Sequence, residues 1–292
     1  MRLSKVKPEL AAATAKAAIE GGIMSEAKDM CRLKHIAGGR DEDKNPVALR
    51  FQKDNYIGQG KVKISQTFMN HLQATNDPRI AVFCSLKDGN ADPSIQKGLP
   101  NGYDKNTIST NSDYTGKLED YSNFNTNVIL REDAPTLLLM PSESKLLQAE
   151  AALRNWVAGD PEALYKEAIC LSMQEQKEAY GVSISEQQVN NYLAQNLFAN
   201  AASQEEKLEV LGNEYWVTTF MNGYESYANW RRCGYPKLTP THYAGNESNG
   251  QIPRRLPYAI DEYTINKANV EQAVQQQGAD NLTTRIWWDV AK

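Results

Sequence analysis

SESKLLQAEAALRNWVAGDPEALYKEAICLSMQEQKEAYG, residues 142–181, decides the fold class of this chain. Its first half places Leu146, Ala149, Leu153, Trp156 and Val157 on one face at the helical period, which predicts a helix over 142–157. Gly159 closes that helix. Asp160 then stands as N-cap, and Pro161 takes the first helical position, where its fixed φ is already helical and no N–H is missed. The second half carries Tyr165, Ala168, Ile169, Met173 and Tyr180 on its inner face and ends at Gly181. Two helices joined by so short a connector pack antiparallel as a helical hairpin.

Working outward, the small residues Ala149, Ala151, Ala152, Gly159 and Ala168 around Tyr165 resemble a tetratricopeptide unit. Only one copy is legible, and an ordinary helical hairpin accounts for the same residues equally well. Ser185 with Gln188, and Ser203 with Glu206, have the spacing of capping boxes, in which side chain and backbone satisfy each other's orphan groups. They predict helices reaching residues 199 and 222. Further helices are predicted over 8–20, closed by Gly21-Gly22, over 66–74 behind a Ser65 cap, over 224–233 and over 270–277. Residues 25–62 are polar and read as irregular, and 79–85 read as a short strand or a buried extended segment. Residues 87–135 are rich in Gly, Asn, Asp, Ser and Tyr without a helical period; a loop that long inside a domain is commonly functional. The expectation is a mostly α chain with one long irregular loop. It forms a single domain divided into 1–86, 87–135 and 136–292.

Composition excludes several classes of partner. A net charge of −4, with both signs mixed along the chain, offers no basic stripe for nucleic acid. The longest apolar runs, at 80–86 and 136–140, are too short to span a bilayer. Cys31, Cys84, Cys170 and Cys233 are too dispersed for a Cys-x-x-Cys site and read as free buried thiols. The start is abrupt, with apolar Leu3 and Val6 ahead of a charged Ala-rich helix rather than a signal peptide. It reads as a piece of a longer protein.

Catalytic and metal motifs are missing from the sequence. There is no nucleophile elbow, phosphate loop or His-Glu-x-x-His helix. His35, His71 and His242 stand apart, and no cofactor is expected. Asp41, Asp43 and Asn45, and again Asp88, Asn90 and Asp92, imitate the start of a calcium loop. Pro46 and Pro93 occupy the glycine position, and Gln52 and Leu99 replace the bidentate glutamate, so both read as solvated turns. Glu150 sits one turn before Arg154 and reads as an ion pair; Glu225 is expected to pair with Arg231 or Arg232; nothing selects Glu214 or Glu262 for acid–base work. What remains is aromatic and amide surface in the long loop. Tyr103, Tyr114 and Tyr121, interleaved with Asn90, Asp104 and Asn106, supply flat faces for sugar C–H groups and partners for hydroxyls. Packing the loop onto the core would account for any one of these tyrosines as well.

An ordered set of phrases then points to a family. Asn76-Asp77-Pro78-Arg79 comes first, followed by Ala134-Pro135, Glu143 and Leu146–Ala152. Trp216 precedes Asn222-Gly223-Tyr224-Glu225 and Arg231-Arg232-Cys233-Gly234-Tyr235-Pro236. Ile252-Pro253-Arg254-Arg255-Leu256-Pro257-Tyr258 follows, then Glu262, Asn266 and Asn269, and Trp287-Trp288-Asp289 closes the series. The order resembles the C-terminal portion of SusD/RagB-like lipoproteins, specifically the subgroup ending in Trp-Trp-Asp. Ala259, Ser226-Tyr227 and Cys233 depart from its usual residues. The resemblance implies a helical scaffold with tetratricopeptide-like pairs and ligand-binding loops on one side. It also implies lipid anchoring at the outer surface of the outer membrane in the full-length protein, with the anchor lying outside this chain. The partners implied are a SusC-like TonB-dependent transporter and an oligosaccharide or, in some members, a peptide, delivered without catalysis. Arg254, Arg255, Tyr258, Glu262, Trp287 and Trp288 are expected to fasten the tail by ion pairs and ring packing rather than to touch ligand. A protein-binding helical adaptor and an α-helical glycoside-active enzyme are the rival readings.

Overall fold

A computed structural model of the chain describes residues 1–56, 60–196, 198–241 and 243–291. Pro8 opens α1 (Pro8–Glu20), and Gly22, at φ 98°, turns the chain out of it. A short strand β1 (Cys31–Leu33) precedes α2 (Pro46–Lys53). That helix lies within a stretch whose polarity predicts irregular structure. Its start is nevertheless strong, because Asn45 accepts hydrogen bonds from the Val47 and Ala48 N–H groups and Pro46 is preset for the first turn. Next come α3 (Gln66–Ala74) and the single turn α4 (Ile80–Phe83), which runs into β2 (Cys84–Ser85). Residues 79–85 therefore combine a buried helical turn with an extended end. The long loop follows, holding only tight single helical turns and β3 (Asn123–Phe124), which pairs antiparallel with β2. β4 (Thr136–Leu139) returns to pair antiparallel with β1. Cys31 lies on this small exposed sheet, so its thiol is exposed where a buried one is expected; Cys84 and Cys233 are buried, and all four cysteines are free.

The hairpin forms as its sequence requires, from α5 (Pro141–Leu153) and α6 (Pro161–Tyr180), with Gly181 left-handed at φ 77°. α5 ends at Leu153, earlier than the apolar period suggests, because Asn155 turns left-handed at φ 58°. Trp156 folds back beneath the Arg154 guanidinium, 5.3 Å away. Both capping boxes are present, at the starts of α7 (Glu186–Gln195) and α8 (Gln204–Thr218). α8 stops short of residue 222 because Asn222 caps α9 (Gly223–Cys233) instead. The turn α10 (Glu262–Ile265) and α11 (Lys267–Gln277) complete the helices named here.

Two apolar clusters make up the core. Leu146, Ala149, Tyr165, Ile169 and Met173 seal the hairpin against Tyr192, Leu211 and Tyr215. Phe68, Met69, Leu72, Phe83, Ile129 and Val217 fill the space between α3, α8 and the long loop, and Ile184 packs against both clusters.

Buried charges rivet these layers together. Arg79, fully buried, meets Asp77 at 2.6 Å, Glu214 at 2.9 Å and the Ser172 hydroxyl at 2.8 Å. Glu150 bonds Arg154, as the one-turn spacing predicts, and also takes a bidentate pair from Arg232 at 2.6 and 2.7 Å. Glu225, by contrast, pairs with Arg2 at 2.8 Å and not with the arginines that follow it, because Arg232 is committed to Glu150. The tail is fastened largely as expected. Arg254 lies 4.3 Å over Trp230 and reaches Asp289 at 3.4 Å, Arg255 holds Asp280 at 2.8 Å, and the Trp288 ring meets Arg231 at 4.8 Å and Arg2 at 5.5 Å. Trp287 is the exception at 67% exposed, and among the described residues the Glu262 side chain bonds the nearby Asn266 amide.

Candidate functional site

A cleft of about 610 Å³ opens where the start of α3 faces residues 238–253. Ser65 and Thr67 come from α3 and the residue before it, Asn101 from the long loop, and Trp216 from α8. The facing segment contributes Thr239, Thr241, Tyr243, Asn246 and Gln251, with Pro240, Ile252 and Pro253 as its apolar floor. The Ser65 hydroxyl donates to Asn101 Oδ1 at 2.9 Å and is thereby diverted from capping α3. Trp216 is braced from behind, edge-on to Phe68 at 4.9 Å and tilted on His71 at 5.5 Å, so its indole is held in place at the cleft wall.

The long loop and the 238–253 segment are latched together. Tyr243, 45% exposed, donates its hydroxyl to Asp104 at 2.7 Å. Asp104 also accepts from the Thr107 hydroxyl and from the Asn106 and Thr107 N–H groups. These bonds, Tyr243 first and Thr107 next, hold the carboxyl at about 2. Beside the latch the two segments cross closely. Gly102, at φ 85°, would place a Cβ 2.7 Å from the Thr241 side chain, so only glycine fits.

Glu247 is the one carboxylate among the described lining residues. The remaining polar lining consists of hydroxyls and amides beside two aromatic rings. Such a surface can hold a neutral polyhydroxylated ligand by stacking and by paired hydrogen bonds.

The residues picked out by composition are distributed unevenly. Asp104 belongs to the latch, and Tyr103, 41% exposed, lies between Gly102 and Asp104 at the rim. Asn106 is exposed and braces Asp104 through its N–H. Tyr114 is half-buried and stacks on Tyr121, with centroids 5.9 Å apart and planes 4° from parallel. Tyr121 is only 2% exposed; its hydroxyl donates to the Asp113 carbonyl and accepts from the Thr115 N–H. It packs the loop down. The Asn90 side chain accepts from the Asp92 N–H, within a run of turns from Asp88 to Ser94 that leaves the cleft untouched.

The two calcium-like loops are accounted for in the same way. Asp41 pairs with Lys53 and Lys44, Asp43 pairs with Arg40, and Asn45 caps α2. No group of metal-ligating side chains gathers among the described residues. His35 is hydrogen bonded to the Thr136 hydroxyl, and His71 is pushed toward its neutral form by burial. His242 lies outside the described residues. Composition also misses Tyr243, Asn246 and Gln251. The signal was present, since residues 238–253 are rich in Thr, Asn, Gly and Pro and have no helical period.

The fold is a helical scaffold with a cleft lined by residues of two irregular segments and of α3 and α8. Residues 1–259 match the SusD-like family described as starch-binding and associating with the outer membrane, and the chain belongs to that family. A solved chitin-binding protein superposes with a TM-score of 0.84 at 29% identity, over 100% of this chain and 62% of its own. A SusD homologue from Bacteroides uniformis gives 0.80 at 25% identity, over 99% of this chain and 62% of its own. A chitin-binding SusD homologue from Flavobacterium johnsoniae gives 0.76 at 27%, over 100% and 61%. The chain thus spans about three-fifths of the length of these relatives. No curated protein matches the sequence significantly.

Proposed function

We propose that this chain binds a neutral oligosaccharide in the cleft beside Trp216 and Tyr243. On this reading it is the ligand-holding portion of a surface-exposed, lipid-anchored outer-membrane protein. It passes the sugar unchanged to a SusC-like TonB-dependent transporter. The observation that carries the reading is the cleft's lining: two rings, several amides and hydroxyls, and a single carboxylate, set on two latched loops. Membership of a family described as starch-binding, and the likeness to two chitin-binding structures, support a glycan as ligand.

Isothermal titration with malto- and chito-oligosaccharides tests it. Asn101→Ala and Tyr243→Ala should each weaken binding by about tenfold, the size of a lost hydrogen bond or stacking face. Binding should change little with salt, because the ligand carries no charge. A folded protein that binds neither series, or that releases shortened sugars, would overturn the reading.

A further inference from the structure

A second groove, also of about 610 Å³, lies at the other end of α3 and shares no lining residue with the cleft. Gln73 and Asn76 stand on one wall. Gln188, Asn191 and Gln195, at one-face spacing along α7, form the other wall over about 10 Å of helix. Pro78, Pro93 and Ile80 contribute apolar C–H surface, and no aromatic ring is among the described lining residues. The described lining is electrically neutral: Asp77, the one acidic residue in it, is buried and committed to Arg79.

The carboxamides are oriented by their internal partners. Gln188 Oε1 accepts from the Ser185 N–H and hydroxyl, Asn191 Oδ1 accepts from Gln187, and Gln195 Oε1 accepts from Asn76 at 2.6 Å. Each of these bonds uses the carbonyl oxygen and leaves the amino group, so the α7 wall presents donors. Gln73 gives one amino N–H to the Gln96 carbonyl and Asn76 gives one to Gln195, so each keeps its carbonyl oxygen and a second N–H on the α3 wall. A hydroxyl is the group that satisfies both walls, since the same oxygen accepts and donates. Among the described lining residues no side chain has a free charge to balance a carboxylate, a phosphate or an ammonium group.

The two sites are also connected. Thr67, Asn70 and Gln73 are exposed at three-residue steps along α3, a path of neutral hydrogen-bonding groups about 9 Å long from cleft to groove. We propose that the groove is a distal subsite for the same glycan, holding a length of sugar chain that overruns the cleft. This inference rests on the glycan reading of the cleft. It adds that the protein selects for chain length through contacts at two separated points, the second acting at the high effective concentration set by the first.

The test compares disaccharides with hexasaccharides of the chitin and maltose series, on the parent and on a Gln73→Ala/Asn191→Ala double variant. Both positions are exposed, and a thermal melt should show the variant folded, with only the small loss expected from the Gln73 bond to the Gln96 carbonyl. The parent should bind the hexasaccharide of its preferred series more tightly than the disaccharide. The variant should lose about tenfold of hexasaccharide affinity while its disaccharide affinity stays unchanged. A variant that keeps the parent's preference for long chains, or a parent with no such preference, would overturn the distal subsite and leave the cleft standing. A parent that binds neither length would overturn both readings.

Discussion

Replacing Arg79 by methionine tests the physical centre of this fold. The Arg79 side chain is sealed from solvent and lies between two carboxylates, Asp77 at 2.6 Å and Glu214 at 2.9 Å, whose side chains are 0% and 2% exposed. It also bonds Ser172 on α6 and reaches the Tyr192 hydroxyl on α7 at 3.4 Å. One cation therefore ties the end of α3 to α6, α7 and α8. Methionine fills most of the aliphatic volume but leaves two buried anions with no counter-charge. Breaking a buried pair costs roughly 3–5 kcal/mol, and stranding two carboxylates places Arg79→Met at about the upper end of that range. The loss should shrink when Glu214→Gln is added, because that change removes one stranded charge and keeps an acceptor for the Tyr192 hydroxyl, now at 2.7 Å. The double variant should recover about 1–3 kcal/mol relative to Arg79→Met. Urea unfolding of the parent, both single variants and the double variant closes the cycle. A loss below about 1 kcal/mol for Arg79→Met, or a Glu214→Gln effect that adds to the loss, would refute the reasoning.

Acid stability should report on Glu150. Burial alone would raise its carboxyl, but Arg232 and Arg154 outweigh that effect and hold it at about 2. Between the ordinary glutamate value and about 2 the unfolded chain takes up the proton first, so stability is whole above that window and falls as pH drops through it. The loss is on the order of 3 kcal/mol. Glu150→Gln should flatten this part of a pH-dependent melt, and an unchanged slope would contradict the pairing. Glu143 and Glu175, both raised by burial, act in the opposite sense and at higher pH. In the long loop, Tyr121→Ala should cost about 3 kcal/mol of stability, while Tyr103→Ala should leave the melting temperature nearly unchanged and weaken sugar binding. Equal melts for the two variants would show that the contrast in burial has been misjudged.

The helices were legible because their signals are local. Asp160-Pro161, the Ser185/Gln188 and Ser203/Glu206 boxes and Gly181 act on backbone groups within one turn, and each formed where its residues stand. Local signals failed where two competed. Asn222 ends one helix by starting the next, and Asn45-Pro46 starts a helix inside a stretch whose polarity reads as loop. The order of phrases from Asn76 to Asp289 was enough to identify the family. Partners distant in sequence were illegible: Arg79 with Glu214, Glu150 with Arg232 and Glu225 with Arg2 all follow from how helices are stacked. The candidate site lies on the same side of that divide. Composition marked the long loop, but it could not tell the buried Tyr121 from the exposed Tyr103, or show that Asp104 meets Tyr243 across 139 residues. An aromatic residue in a loop has the same chemistry buried or exposed, and only the packing of the rest of the chain determines which face reaches solvent.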